Sequence, residues 1–149
     1  MQPAITIART WSDVDMCELM FTVCDGRSAF TCNTYAALGW GAKVAHELES
    51  FGGQIYGGIY DLKAGTVGPE FALGAFQARF HFYRPTLLLI TTYQQGDFFP
   101  YKAGQFADEA RLALRTEPAL LDRFVRTLKK IDEKDGTEAV LECIRLQYR

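Results

Sequence analysis

A chain of 149 residues with 48% hydrophobic side chains has enough apolar material for one genuine core, and a single domain is the expectation. Sixteen basic against 18 acidic residues leave a net charge of −2, which supplies no general field for holding a polyanion and argues against nucleic acid as a partner. The amino terminus lacks the basic-then-apolar pattern of a signal peptide, and the longest strongly apolar run, residues 87–90, is too short to span a bilayer. A soluble cytoplasmic protein is expected, with no membrane partner. Its cysteines at 17, 24, 32 and 143 form no CxxC pair and are expected to be reduced thiols.

Ile5 and Ile7 alternate with small or polar residues, the pattern of a short first strand before the acidic turn at 11–15. From Met16 to Cys24, residues Cys17, Leu19, Phe21 and Val23 share one face. Asp25-Gly26 then supplies the positive-φ pair of a two-residue hairpin turn, and 27–33 is the returning strand. Trp40, Val44, Leu48 and Phe51 recur at helical spacing, which predicts a helix over 36–50 whose first turns are weakened by Gly39 and Gly41. His46 lies off the apolar stripe without companions at metal-ligand spacing and reads as solvent-facing.

The stretch ESFGGQIYGGIYD, residues 49–61, holds two glycine pairs, but they follow a helix and precede a strand, the reverse of a phosphate cradle. Gly52 reads as the left-handed C′ residue that stops the helix, and Gly57-Gly58 as an irregularity inside a strand over 55–62. A loop at 63–69 leads to a long strand over 70–83. There Phe76, Ala78, Phe80 and Phe82 face inward, and Gln77, Arg79, His81 and Tyr83 face outward. The next strand, 86–93, carries leucines on both faces and reads as central. Residues 106–115 form a half-buried strand, with Phe106, Ala110, Leu112 and Leu114 inside and Glu109, Arg111 and Arg115 outside. Thr116 reads as the N-cap of an amphipathic helix with Pro118 in its first turn and Leu120, Leu121, Phe124, Val125, Leu128 and Ile131 on its apolar stripe. Residues 139–146 suit a strand or a helical tail equally. The order predicts an α+β domain with a largely antiparallel sheet of about six to seven strands and two amphipathic helices on one side of it.

Candidate chemistry is sparse. The two histidines, His46 and His81, have no motif around them, and a thiol site at His81 and Arg79 needs a cysteine from a neighbouring strand. No zinc, nucleotide or nucleophile-elbow motif is present, so no catalytic residue, metal ligand or cofactor is assigned and the chain is read as a non-enzyme.

Two binding readings remain. The stretch QQGDFFPYKAGQF, 94–106, is too rich in Gly and Pro for a regular central strand, and its Asp97, Phe98, Phe99, Tyr101 and Lys102 are hot-spot material for a protein partner. The same aromatics fit equally a lid laid over the sheet edge. Asp13, Asp15 and Glu18 add an acidic counterpart for a basic partner. The alternative is a nucleic-acid-binding module. A local excess of four positive charges over 111–130 places Arg123, Arg126, Lys129 and Lys130 on the second helix, with Tyr56, Tyr60, Phe80 and Phe82 as stacking platforms.

Four segments carry a family resemblance: the hairpin CELMFTVCDGRSAFTC, the helix GWGAKVAHELESF, the strand PEFALGAFQARFHF and the ending FADEARLALRTEPALLDRFVRTLKKI. In this pattern the chain resembles small bacterial immunity proteins of contact-dependent and polymorphic toxin systems, the WapI-type immunity family. The resemblance implies stoichiometric binding to a cognate protein toxin without a cofactor, and it carries over no interface residue and no oligomeric state.

Overall fold

The computed structural model describes residues 1–70 and 72–147. It is an α+β domain whose strands all pair antiparallel. Strands β1 (Ala4–Ser12), β2 (Met16–Cys24) and β3 (Ala29–Ala37) form a meander, followed by helix α1 (Trp40–Phe51). Strands β4 (Ile59–Ala64), β5 (Ala75–Arg84), β6 (Leu87–Gln95) and β9 (Glu109–Thr116) form a second meander. A small hairpin of β7 (Phe99–Tyr101) and β8 (Gly104–Phe106) is inserted between β6 and β9. Helix α2 (Pro118–Leu128) leads to β10 (Glu138–Glu142) and β11 (Ile144–Arg145).

The single sheet expected from the sequence is divided in two, in the orders β10-β1-β2-β3 and β11-β9-β6-β5-β4. The last segment, undecided between helix and strand, explains how the sheets join. It pairs with β1 as β10, turns at Cys143, and pairs with β9 as β11. Thr116 fastens this corner by donating its hydroxyl to the Glu142 carbonyl at 2.8 Å. Thr116 is therefore a buried strand residue, and the N-cap position belongs to Glu117, whose side chain makes no capping bond.

One core fills the space between the sheets and the helices. Phe21 of β2 stacks on Phe76 of β5 at 4.4 Å between ring centroids, so the inner faces of the two sheets meet there. Phe51 of α1 stacks on Phe82 at 5.1 Å and meets Phe80 edge-on. The predicted alternation of β5 holds: Phe76, Ala78, Phe80 and Phe82 are buried, while Arg79 and Tyr83 are exposed. The stripe of α2 holds as well, with Leu121, Phe124, Val125, Leu128 and Ile131 buried. Strand β6 is central by position, with Leu88 and Ile90 buried and Leu87 and Leu89 half-buried.

Several boundaries move for local reasons. Helix α1 begins at Trp40 because β3 continues to Ala37 and Gly39, at φ +86, turns the chain between them. Gly52 ends α1 in the right-handed region, φ −57, and not as a left-handed cap. Gly57, at φ +85, and Gly58 precede β4 and do not interrupt it. The Gly58 N–H donates to the Gln54 carbonyl at 3.0 Å, and a side chain at 58 would collide with that carbonyl. In the first hairpin only Gly26 has positive φ, and the turn is closed by Asp25, whose carboxylate accepts the N–H groups of Arg27 and Ser28 at 2.8 Å each. Phe71, within the expected strand over 70–83, lies outside the described residues, and that strand begins at Ala75.

Candidate functional site

Within the segment 94–106, Gln94 and Gln95 end β6 and residues 99–106 form the β7–β8 hairpin, in which Phe99 pairs with Phe106 and Tyr101 with Gly104. Lys102 takes the left-handed conformation at the tip, φ +55. Phe99, Tyr101 and Phe106 are 47%, 58% and 50% exposed, and they contact one another: Phe106 lies 6.5 Å from Phe99 and 6.3 Å from Tyr101 between centroids. Phe98 is half-buried at the stem, where its N–H donates to the Ala72 carbonyl at 3.2 Å, and Asp97 is exposed beside it. Three rings packed together in solvent are costly for an isolated domain and useful at an interface. Phe106 thus belongs to this cluster and not to the inner face of β9.

The acidic group lies at the β1–β2 turn, a different connection. The Asp13 carboxylate accepts the N–H groups of Asp15 and Met16, which holds its pKa below the ordinary carboxylate value. Glu18 accepts the Thr10 hydroxyl at 2.7 Å. The register places Trp11 opposite Glu18 and Glu18 opposite Tyr35, so one rung across β1, β2 and β3 carries acid between two aromatics. Trp11 and Tyr35 meet edge-on at 6.3 Å, and both are exposed. Sequence spacing does not show this rung, because a bulge between Arg9 and Trp11 shifts the β1 register by one residue. No hydrogen bond, ion pair or ring contact joins this group to the hairpin among the described residues.

Of the cations expected on the second helix, Arg123 and Arg126 lie on α2 while Lys129 and Lys130 follow its end, and the four are dispersed. Arg123 pairs with Glu142 at 3.5 Å and Lys129 pairs with Glu49, while Arg126 and Lys130 are exposed. Two of the expected stacking platforms, Phe80 and Phe82, are in the core.

A more concentrated positive surface lies on the outward faces of β4, β5, β6 and β9. The outer face of the five-stranded sheet forms a groove of about 680 Å³. One rung of its floor runs Lys63, Gln77, Tyr93, Arg111, and the next runs Asp61, Arg79, Thr91, Ala113. The β2–β3 turn, through Asp25 and Arg27, and the Arg145–Leu146 segment form its walls. Five cations and two carboxylates line it, an excess of three positive charges in a chain whose net charge is −2. Arg79 is held by Asp61 through two bonds of 2.8 and 3.0 Å, which also draw the Asp61 pKa down. Arg111 covers the Tyr93 ring at 4.5 Å, and the Tyr93 hydroxyl donates to Glu109 at 2.7 Å. Lys63, Arg111 and Arg145 form no ion pair among the described residues, and the Lys63 charge acts on Asp61 only at longer range, adding to the fall in its pKa. The alternation of Arg79 in β5 with Arg111 in β9 was the available signal; strand pairing was needed to bring the rows together.

The thiol site at His81 is not assembled. The cross-strand neighbours of His81 are Ile59 and Leu89, and its ring rests on Tyr83 at 4.6 Å. Burial pushes the Cys32 and Cys143 thiols up to about 12, the opposite of an activated nucleophile. His46 is exposed on α1, and no group of three or more metal-ligating side chains occurs among the described residues. No helix among them is long and apolar enough to cross a membrane.

No family model, curated protein or solved structure matches this chain.

Proposed function

We propose that this chain is a protein-binding domain without catalysis, in the form of an immunity protein that binds and neutralises a cognate bacterial toxin. The observation that carries the reading is the β7–β8 hairpin, with Phe99 and Tyr101 gathered in solvent around Phe106 and the Lys102 ammonium over the Tyr101 ring. Aromatic anchors of this kind bury large area on association and lose little side-chain entropy, so they are suited to a partner surface. The Trp11–Glu18–Tyr35 rung, with Asp13 and Asp15 in the adjoining turn, is a second contact surface suited to a basic partner. The toxin reading rests on the resemblance of the four segments, with a cytoplasmic location and no cofactor.

Co-expression with the product of the adjacent upstream gene tests this. The expected result is a stable complex and protection from growth arrest, both lost in the Phe99→Ser/Tyr101→Ser/Phe106→Ser variant while the far-UV spectrum is kept. Absence of a complex and of protection with the unaltered chain sinks the immunity reading. A variant that still binds removes the hairpin from the interface.

A further inference from the structure

We propose that the groove on the outer face of the five-stranded sheet binds an extended acidic peptide segment of a protein partner, an inference that rests on the protein-binding reading and names the chemistry of what is bound. The groove gathers positive charge that the rest of the chain does not have, and three of its cations, Lys63, Arg111 and Arg145, form no ion pair with a carboxylate of the described residues. Like charges brought together on one concave face repel, and an anionic ligand removes that cost.

The spacing selects the ligand. Lys63 and Arg111 end one rung of four strands, so their backbones stand three inter-strand spacings apart, about 14 Å. In an extended peptide, residues four apart project from the same side and are separated by about 13 Å. Two acidic side chains at that interval reach both cations at once. Gln77 lies between them, offering both donor and acceptor to the peptide backbone.

A nucleic-acid strand fits less well. Tyr93 is the only aromatic among the described lining residues, and Arg111 lies over its ring, so the floor offers no ready stacking platform. Asp25 and Asp61 also line the groove, where they oppose a charge at every step of a phosphate backbone but are avoidable by a peptide with spaced carboxylates. The strands of the floor, β6 and β9, are those from which the aromatic hairpin projects, so a partner anchored on the hairpin has this groove beside it.

The test uses the full chain and a fluorescein-labelled peptide of about seven residues with two glutamates four apart, an interval set by strand rise. Fluorescence anisotropy at low salt is measured beside an oligothymidylate of matched label. Binding of the peptide is expected, weakened about tenfold or more by Lys63→Glu/Arg111→Glu and changed less than about twofold by Arg126→Glu/Lys130→Glu, which alters net charge equally on α2 and the turn that follows it. The amide resonances of Gln77 and Tyr93 shift on titration. If the groove doublet is unfolded by circular dichroism, the single variants Lys63→Ser and Arg111→Ser replace it. No binding by the unaltered chain, equal loss in both doublets, or tighter binding of the oligothymidylate overturns the proposal. A groove that ignores the peptide while the hairpin still captures a partner overturns this inference alone.

Discussion

The Asp132 carboxylate accepts the N–H of Gly41 at 3.1 Å and that of Ala42 at 2.7 Å, so the first turn of α1 is capped by a residue from beyond the end of α2. The helix has no capping side chain of its own, and the carboxylate also complements the positive end of its dipole. Asp132→Ala is therefore expected to lower stability by about 1–2 kcal/mol, within the range of a lost charged cap. Gly41 is the other half of this contact, since a side chain there would run into Ile131. Propensity alone favours alanine at a helical glycine by about 1 kcal/mol. Gly41→Ala is expected to destabilise nonetheless, and urea midpoints for the two variants check both signs.

The same pair shows what can be read from one dimension. Apolar periodicity identified the stripe of α2 and the inward face of β5, because burial on one face writes a local period into the residues. The class of fold followed from the order of these elements. Gly41 reads only as a weakness in the sequence and Asp132 belongs to no periodic stripe, because their partnership spans 91 residues. The binding surfaces divide in the same way. Phe98, Phe99 and Tyr101 stand close together in the chain and were visible, whereas Phe106 joins them only through hairpin pairing, and the Trp11–Glu18–Tyr35 rung and the Lys63–Arg111 groove exist only once strand register is set.

Gln94 is fully buried on β6, and neither atom of its side-chain amide has a hydrogen-bond partner among the described residues. A buried amide in that state carries a desolvation cost of about 1–3 kcal/mol without a compensating bond. Gln94→Met keeps a similar length without the polar atoms, and it is expected to raise stability by about 1 kcal/mol. An unchanged or lower urea midpoint would show that the amide contributes to the native state.

The hairpin is expected to open independently of the rest. Its strands have three residues each, and a two-stranded ribbon of that length is marginal in water. Amide exchange at Tyr101 and Phe106 is expected to be fast, by local opening, while Phe80 and Ile90 exchange only with global unfolding. Binding of a partner through the aromatic rings slows exchange in the hairpin selectively. Protection already equal to that of β5 in the free protein contradicts this assignment.

Cys32 and Cys143 make stability fall on the alkaline side. Burial holds their folded-state pKa up to about 12, against 9.0 for an unburied thiol. Between these limits the unfolded chain has released the thiol protons and the folded chain has not, so rising pH favours unfolding progressively from about pH 9 toward 12. Below pH 9 both states hold the protons, and the contribution is complete. Tyr60 adds to the same trend, since burial and its bond to Glu47 raise its pKa also. Replacing both cysteines by alanine therefore lowers stability at pH 7 through lost packing but flattens its decline above pH 9. Urea unfolding at stepped pH gives the two slopes, and equal slopes contradict the assignment. At pH 8 the same thiols are expected to resist a soluble disulfide reagent until urea is added.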